Sequence, residues 1–185
     1  MLPAIFFDRD GVFIENCPAY VRSWADVVIL PDALEALGKL SQSRYKLVMV
    51  TNQSVVGRGI ISITTAWEIN RRLLKVMRAA GIRVDGIYLC PHAPAELCAC
   101  RKPKPGLLLQ ASSDLSIDLT NSVMIGDAWT DLLAGQAAGV STNILVRTGR
   151  GNQQYLFPAP PEVSSFLVFD SLLDASKFIL SIEQG

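Results

Sequence analysis

The run Ala4-Ile5-Phe6-Phe7 passes straight into Asp8-Arg9-Asp10-Gly11. Four apolar residues closed by a turn predict a buried strand that delivers two carboxylates to the loop at its carboxyl end. Open α/β sheets gather their chemistry at that edge. Carboxylates so close in sequence repel unless a cation or a shared proton offsets them. Taken alone, Asp-x-Asp-Gly suits an Asx-turn equally well.

Outward from this stretch, apolar runs and amphipathic segments alternate. Further strands are expected at Lys46–Val50, Val84–Leu89, Ser122–Ile125, Asn143–Val146 and Ser165–Phe169. Helices are expected at Asp32–Ser41, Thr64–Ala80, Gly106–Asp114, Ala128–Ala138 and Leu172–Ile182. Gly81 and Gly139 stand at two of the helix ends, where glycine relieves the left-handed turn. Residues 149–161 are rich in glycine and proline and read as a mobile loop. The alternation predicts an α/β fold, a three-layer doubly wound, mostly parallel sheet. No linker or repeat divides the 185 residues, so a single domain over 1–185 is expected.

Composition narrows the function. Half the residues are hydrophobic and 18% are charged, which fits a well-buried soluble core. Lys plus Arg equals Asp plus Glu at 17 each, so no global field recruits nucleic acid or an acidic membrane. An anionic ligand must then be held by local groups. The start has no basic region before an apolar one, and no stretch has the length of a membrane span, so a cytoplasmic protein is expected; a monomer is expected as well, though no motif specifies the oligomeric state.

Three strands end in polar residues: Asp8 and Asp10, then Thr51-Asn52-Gln53, then Gly126-Asp127 with Asp131 a turn later. A parallel sheet brings these ends to one edge. Several carboxylates there call for a hard cation, and Mg²⁺ suits oxygen ligands. Singly, Thr51 or Asn52 could cap a helix and Gly-Asp could be a plain turn. The single histidine argues against a histidine phosphoenzyme with a second histidine as acid, and there is neither a Cys-x₅-Arg nor a G-x-x-x-x-G-K-[ST] pattern.

Three of the four cysteines crowd into residues 90–100. Cys90, His92, Cys98 and Cys100 make a Cys₃His set that matches closed, structural Zn²⁺; the alternative is a buried thiol cluster beside a surface histidine. Cys17 reads as an ordinary small buried residue or a free thiol. Arg101 and Lys102 follow the last of the four ligands, either as cations mounted over the carboxylate edge or as a solvated basic turn.

The order Asp-x-Asp-Gly, strand-end Thr, Lys, Gly-Asp resembles the haloacid dehalogenase superfamily of phosphohydrolases. The resemblance implies Asp8 as nucleophile, Asp10 as general acid/base, and Thr51 and Lys102 as groups that hold and neutralise the phosphoryl. It implies Mg²⁺ on Asp8, the carbonyl of Asp10 and Asp127, with Asp131 orienting Lys102 or a metal-bound water. Asp8-Arg9-Asp10-Gly11, Thr51-Asn52-Gln53-Ser54 with Arg58-Gly59, the cysteine loop through Pro103, and Leu145-Val146-Arg147-Thr148-Gly149 together look like the heptose 1,7-bisphosphate 7-phosphatases. Histidinol-phosphate phosphatases are near relatives. That resemblance implies a phosphorylated sugar as substrate, contacted by Asn52, Gln53, Arg58, Arg101 and Lys102, and no large cap domain. The alternatives are histidinol phosphate or another small phosphomonoester, or a zinc-stabilised binding module without turnover. Two positions depart from the family pattern: Val12 stands where many relatives have threonine, and Ala128 where some heptose enzymes have lysine.

Overall fold

A computed structural model describes residues 1–183. In chain order, β1 (Ala4–Phe7) leads to α1 (Ala33–Leu40), β2 (Lys46–Asn52), α2 (Ser54–Gly57) and α3 (Ile63–Ala79). Then come β3 (Gly86–Cys90), α4 (Gly106–Leu115), β4 (Val123–Gly126) and α5 (Trp129–Ala138). β5 (Thr142–Val146), α6 (Gly151–Tyr155), β6 (Leu167–Phe169) and α7 (Leu172–Glu183) complete the described chain.

The six strands form one sheet in the order β3-β2-β1-β4-β5-β6, and every pairing is parallel. Because successive side chains point to opposite faces of a strand, β1 serves both layers. Ile5 and Phe7 join Leu37, Leu40, Leu73 and Ile179 beneath α1, α3 and α7. Ala4 and Phe6 join Leu107, Leu108, Ala111 and Ala134 beneath α4 and α5. The three-layer expectation is met. Such a sheet is apolar on both sides, which is why its strands read as unbroken hydrophobic runs.

The chain leaves β1 toward β2 on one side and later returns to place β4 on the other. β1 and β4 therefore flank the topological switch point, where doubly wound sheets open a crevice at their carboxyl ends.

Expected elements agree with the observed ones to within a few residues, with informative differences. β2 runs past Val50 to Asn52 because Thr51 and Asn52 pair in register with Leu89 and Cys90 of β3. The 149–161 stretch is not a featureless loop: residues 151–155 form α6, whose Gly151 packs so tightly on β5 that an added Cβ would strike the carbonyl of Val146. Val12 is buried in the core under the site, as its apolar side chain requires. Among the described residues, no helix is long and apolar enough to cross a membrane.

Candidate active site

Asp8 follows the last residue of β1, and its N–H donates to the carbonyl of Ile125 at 3.0 Å, tying the loop to β4. Asp127 follows β4 directly, and Asp131 sits in the first turn of α5, where its Oδ2 accepts the N–H of Ala128 at 3.1 Å. Carboxylate oxygens of Asp8, Asp127 and Asp131 thus lie within 4.8 Å of one another, although the residues are far apart in sequence.

Lys102 is the cation at the centre. Its Nζ donates to the carbonyl of Val50 at 2.8 Å and pairs with Asp131 Oδ1 at 2.7 Å and Asp8 Oδ1 at 2.9 Å. The Asp8 contact is close enough for an ion pair but not aligned as a hydrogen bond, so Asp8 Oδ1 is buried without a directed donor. Burial alone would lower the lysine, but Asp131 and Asp8 outweigh it and hold Lys102 above the usual lysine range. Burial raises the Asp8 carboxyl to about 6 against the pull of Lys102. Burial likewise raises Asp127 and Asp131. Asn52 fixes the lysine backbone, its amide donating to Lys102 O and its Oδ1 accepting Lys102 N–H.

Asp10 faces elsewhere. Its carboxylate accepts Arg9 Nε at 3.1 Å and Nη2 at 3.0 Å, and Gln53 Nε2 at 2.9 Å. Arg9 is 1% exposed and also donates to Asn70 Oδ1 and Gln53 Oε1. Gln53 in turn donates to Thr51 Oγ1 at 2.8 Å, which places Thr51, itself fully buried, beneath this network.

The cleft above these groups has a volume of about 460 Å³. Asp8, Asp10, Asn52, Gln53, Arg101, Lys102 and Asp131 line it; Thr51, Arg58 and Asp127 do not. Arg58 is exposed at the end of α2, away from the cleft wall. Asp127 lies under Gly11 and Gly149, both at positive φ, where an added Cβ would come within 2.1 and 2.4 Å of its Oδ2. Only glycine can approach a carboxylate so closely in that backbone conformation.

The donor set fits a divalent cation. Among the described residues, the three buried carboxylates are ion-paired with two cations, Lys102 and Arg150, which leaves one negative charge uncompensated, and Asp8 Oδ1 has no directed donor. Mg²⁺ takes such oxygens.

The second cluster begins where β3 ends. Cys90 Sγ lies 3.6 Å from both His92 Nδ1 and Cys98 Sγ, Cys100 Sγ lies 3.3 Å from His92 Nδ1, and the Cys98 and Cys100 sulfurs are 3.5 Å apart. Ligands about 2.0–2.3 Å from a tetrahedral zinc stand roughly 3.4–3.8 Å from one another. A disulfide would need about 2 Å. Burial pushes the Cys90 thiol up to about 12, so its thiolate needs a cation beside it. Four side chains close the tetrahedron, so the ion that fits here has no open position for substrate. Arg101 is tied to this loop, its Nη1 donating to the carbonyl of His92 at 3.3 Å.

Comparison with known proteins decides the family. A HAD-hydrolase-like family profile matches residues 99–175. The chain is 39% identical to the D-glycero-β-D-manno-heptose-1,7-bisphosphate 7-phosphatase of Vibrio cholerae, covering 98% of each sequence. It is 37% identical to the same enzyme of Photorhabdus laumondii, over 99% of this chain and 98% of that one. It belongs to the heptose bisphosphate phosphatase family of HAD-like hydrolases. Its fold matches the crystal structure of the D,D-heptose 1,7-bisphosphate phosphatase of B. bronchiseptica, complexed with magnesium and phosphate, at a TM-score of 0.89 and 32% identity, over 98% of this chain and 99% of that one.

Several cleft residues of this heptose bisphosphate phosphatase family member were not expected at the site from sequence: Asn16, Cys17, Tyr20, Thr130 and Arg150. Cys17 is a free thiol, half-buried on the cleft wall and packed against the core. The available signal for Thr130 was its place just after a strand-end motif; Arg150 carried none.

Proposed function

We propose that the protein removes the 7-phosphate of D-glycero-D-manno-heptose 1,7-bisphosphate through an aspartyl-phosphate on Asp8, with Mg²⁺ at the carboxylate edge and Zn²⁺ in the Cys₃His loop. Membership of the family makes it a phosphoric monoester hydrolase. The observation that carries the mechanism is the position of Asp8: buried at the switch point, 2.9 Å from a fully buried lysine, with one oxygen free of directed donors. The names of the curated relatives specify the β-anomer of the sugar, which is the anomer proposed here.

An Asp8 oxygen attacks phosphorus while the bond from phosphorus to the sugar oxygen breaks, and Asp10 gives that oxygen a proton. Asp10 then takes a proton from water, whose oxygen attacks the acyl-phosphate, releases phosphate and restores the Asp8 carboxylate. For both transfers Asp10 turns from Arg9 and Gln53 toward the cleft. Lys102 balances charge on the phosphoryl oxygens, and Thr51 donates its hydroxyl to one of them once Gln53 turns away with Asp10. Mg²⁺ held by Asp8, Asp127 and the Asp10 carbonyl would supply Lewis-acid stabilisation of the phosphoryl charge. Asp131 orients Lys102. Arg101, Asn52 and the 52–58 turn hold the sugar phosphate, with Gln53 acting through Asp10 and Arg58 reached only by a substrate that extends over the rim.

Zinc is supported by the near-tetrahedral spacing of its four donors. Thiols at that spacing remain reduced in a cytoplasmic setting. Residues 1–185 are read as a single domain with a zinc loop at 90–100, and residues 184–185 lie outside the described chain. Every proposed site residue comes from one chain, so a monomer suffices. Turnover of a panel containing both heptose 1,7-bisphosphate anomers and histidinol phosphate, with Mg²⁺ present, tests the assignment. The β-heptose bisphosphate should have the highest specificity constant, and faster hydrolysis of histidinol phosphate would overturn the substrate.

A further inference from the structure

Asp127 is fully buried, and two side chains that do line the cleft, Asn16 and Arg150, stand over it. Asn16 Nδ2 donates to Asp127 Oδ2 at 2.6 Å, and the backbone N–H of Arg150 donates to the same oxygen at 2.8 Å. The Arg150 guanidinium spans both oxygens, with Nε to Oδ2 and Nη2 to Oδ1 each at 3.5 Å. These two Arg150 contacts differ in kind. The backbone N–H is fixed by the tight loop after β5, where Gly149 presses against the carboxylate. The guanidinium contact is long and its side chain is 57% exposed, the regime in which an ion pair contributes little and parts easily. Arg150 therefore has an anchored root and a loosely held head.

We propose that the Arg150 guanidinium and a divalent cation occupy Asp127 in turn, and that the arginine displaced by the cation swings into the cleft and binds the substrate's reacting phosphate. The proposal rests on the phosphatase reading above. One carboxylate edge cannot hold a guanidinium and a dication in contact without repulsion between them. Reaching Asp127 from the cleft also means moving the side chain that covers it. Charge favours the exchange. Asp8, Asp127 and Asp131 against Lys102 and Arg150 leave one negative charge, which opposes an incoming phosphate. A dication reverses that sign while Arg150 remains in the cleft, so the anion is admitted after the metal. Ala128 offers no cation from the start of α5, and Arg101 approaches from the β3 side, two strands from β1 and opposite the β5 side that carries Arg150. The freed guanidinium thus supplies the positive charge that the β5 wall would otherwise lack.

Calorimetric titration of the full-length protein with Mg²⁺ alone, then with inorganic phosphate at saturating Mg²⁺, tests this for wild type, Arg150→Gln, Arg150→Lys and Asp127→Asn. Arg150→Gln keeps the backbone donor and removes the competitor, so Mg²⁺ should bind about two- to fivefold more tightly. Phosphate should then bind roughly tenfold more weakly, for want of a charge-assisted contact. Arg150→Lys should restore most of the phosphate affinity. Unchanged or weaker Mg²⁺ binding by Arg150→Gln overturns the exchange. Unchanged phosphate binding, or a lysine variant no better than glutamine, overturns the swing. If Asp127→Asn binds Mg²⁺ as tightly as wild type, the cation is not on Asp127 and the metal reading falls together with the proposal.

Discussion

The protein carries two ligand clusters built on opposite plans. The Cys90, His92, Cys98 and Cys100 set spans eleven residues, from the last residue of β3 through the loop that follows it. The Asp8, Asp127 and Asp131 set is assembled from the ends of two adjacent strands and the helix that follows the second, and exists only once β1 and β4 pair. A local cluster spends its ligands on holding its own backbone. The assembled one is held by the sheet, so its carboxylates can be kept crowded and underneutralised. That difference suits one cluster to stiffening and the other to chemistry. Lys102 joins them: its backbone belongs to the segment that follows the cysteine loop, and its Nζ lies among the carboxylates.

The sharpest way to break this contrast is to remove the proposed nucleophile. Asp8→Asn should lower turnover by about four orders of magnitude or more while the protein stays folded, because a step of the reaction is lost rather than a contact. Steady-state kinetics alongside circular dichroism checks it, and surviving hydrolysis would remove Asp8 from the mechanism. Lys102→Met attacks the link. Two buried carboxylates lose their shared cation, so denaturant unfolding should show a loss of about 3–5 kcal/mol in addition to lost activity.

Removing the proposed zinc by chelation, or replacing Cys98 with serine, should cost on the order of 2–4 kcal/mol. Hydrogen exchange should rise in residues 91–105 and stay low in β1 and β4. Equal loosening of the sheet would mean the loop is not a separate stiffened unit.

The smallest effect concerns pH. Folding raises the Asp8 carboxyl from the ordinary range to about 6, so ionising it costs folded-state stability as pH climbs through that interval. Asparagine does not ionise. Without added Mg²⁺, the melting temperature of Asp8→Asn should therefore exceed that of wild type by a margin that widens between pH 4 and pH 7. A constant margin would show that burial does not raise Asp8.

Much of this was legible in the chain. An apolar run followed by Asp-Arg-Asp-Gly specifies a buried strand with carboxylates at its end whatever surrounds it. The alternation of strand and helix patterns gave the layered sheet, and eleven residues contain the whole Cys₃His set. Arg9 and Asn70 were not legible as partners, because their contact spans 61 positions and joins the β1 loop to α3. Gln53 reads in sequence as a group for the sugar, yet its amide is taken up by Asp10, Thr51 and Arg9, an arrangement fixed by packing. Arg58 stands in the same stretch, at the exposed C-terminal cap of α2, and is not among the residues that line the cleft.

What the sequence by itself determined is therefore the local chemistry: which carboxylates end strands, which thiols stand close enough to share an ion, and which face of each element is apolar. These follow from neighbours a few residues apart. Only the tertiary structure decided which charges meet. The lysine set between Asp8 and Asp131, and the arginine laid across Asp127, are contacts between segments up to 94 residues apart, made where parallel strands bring their carboxyl ends to one edge.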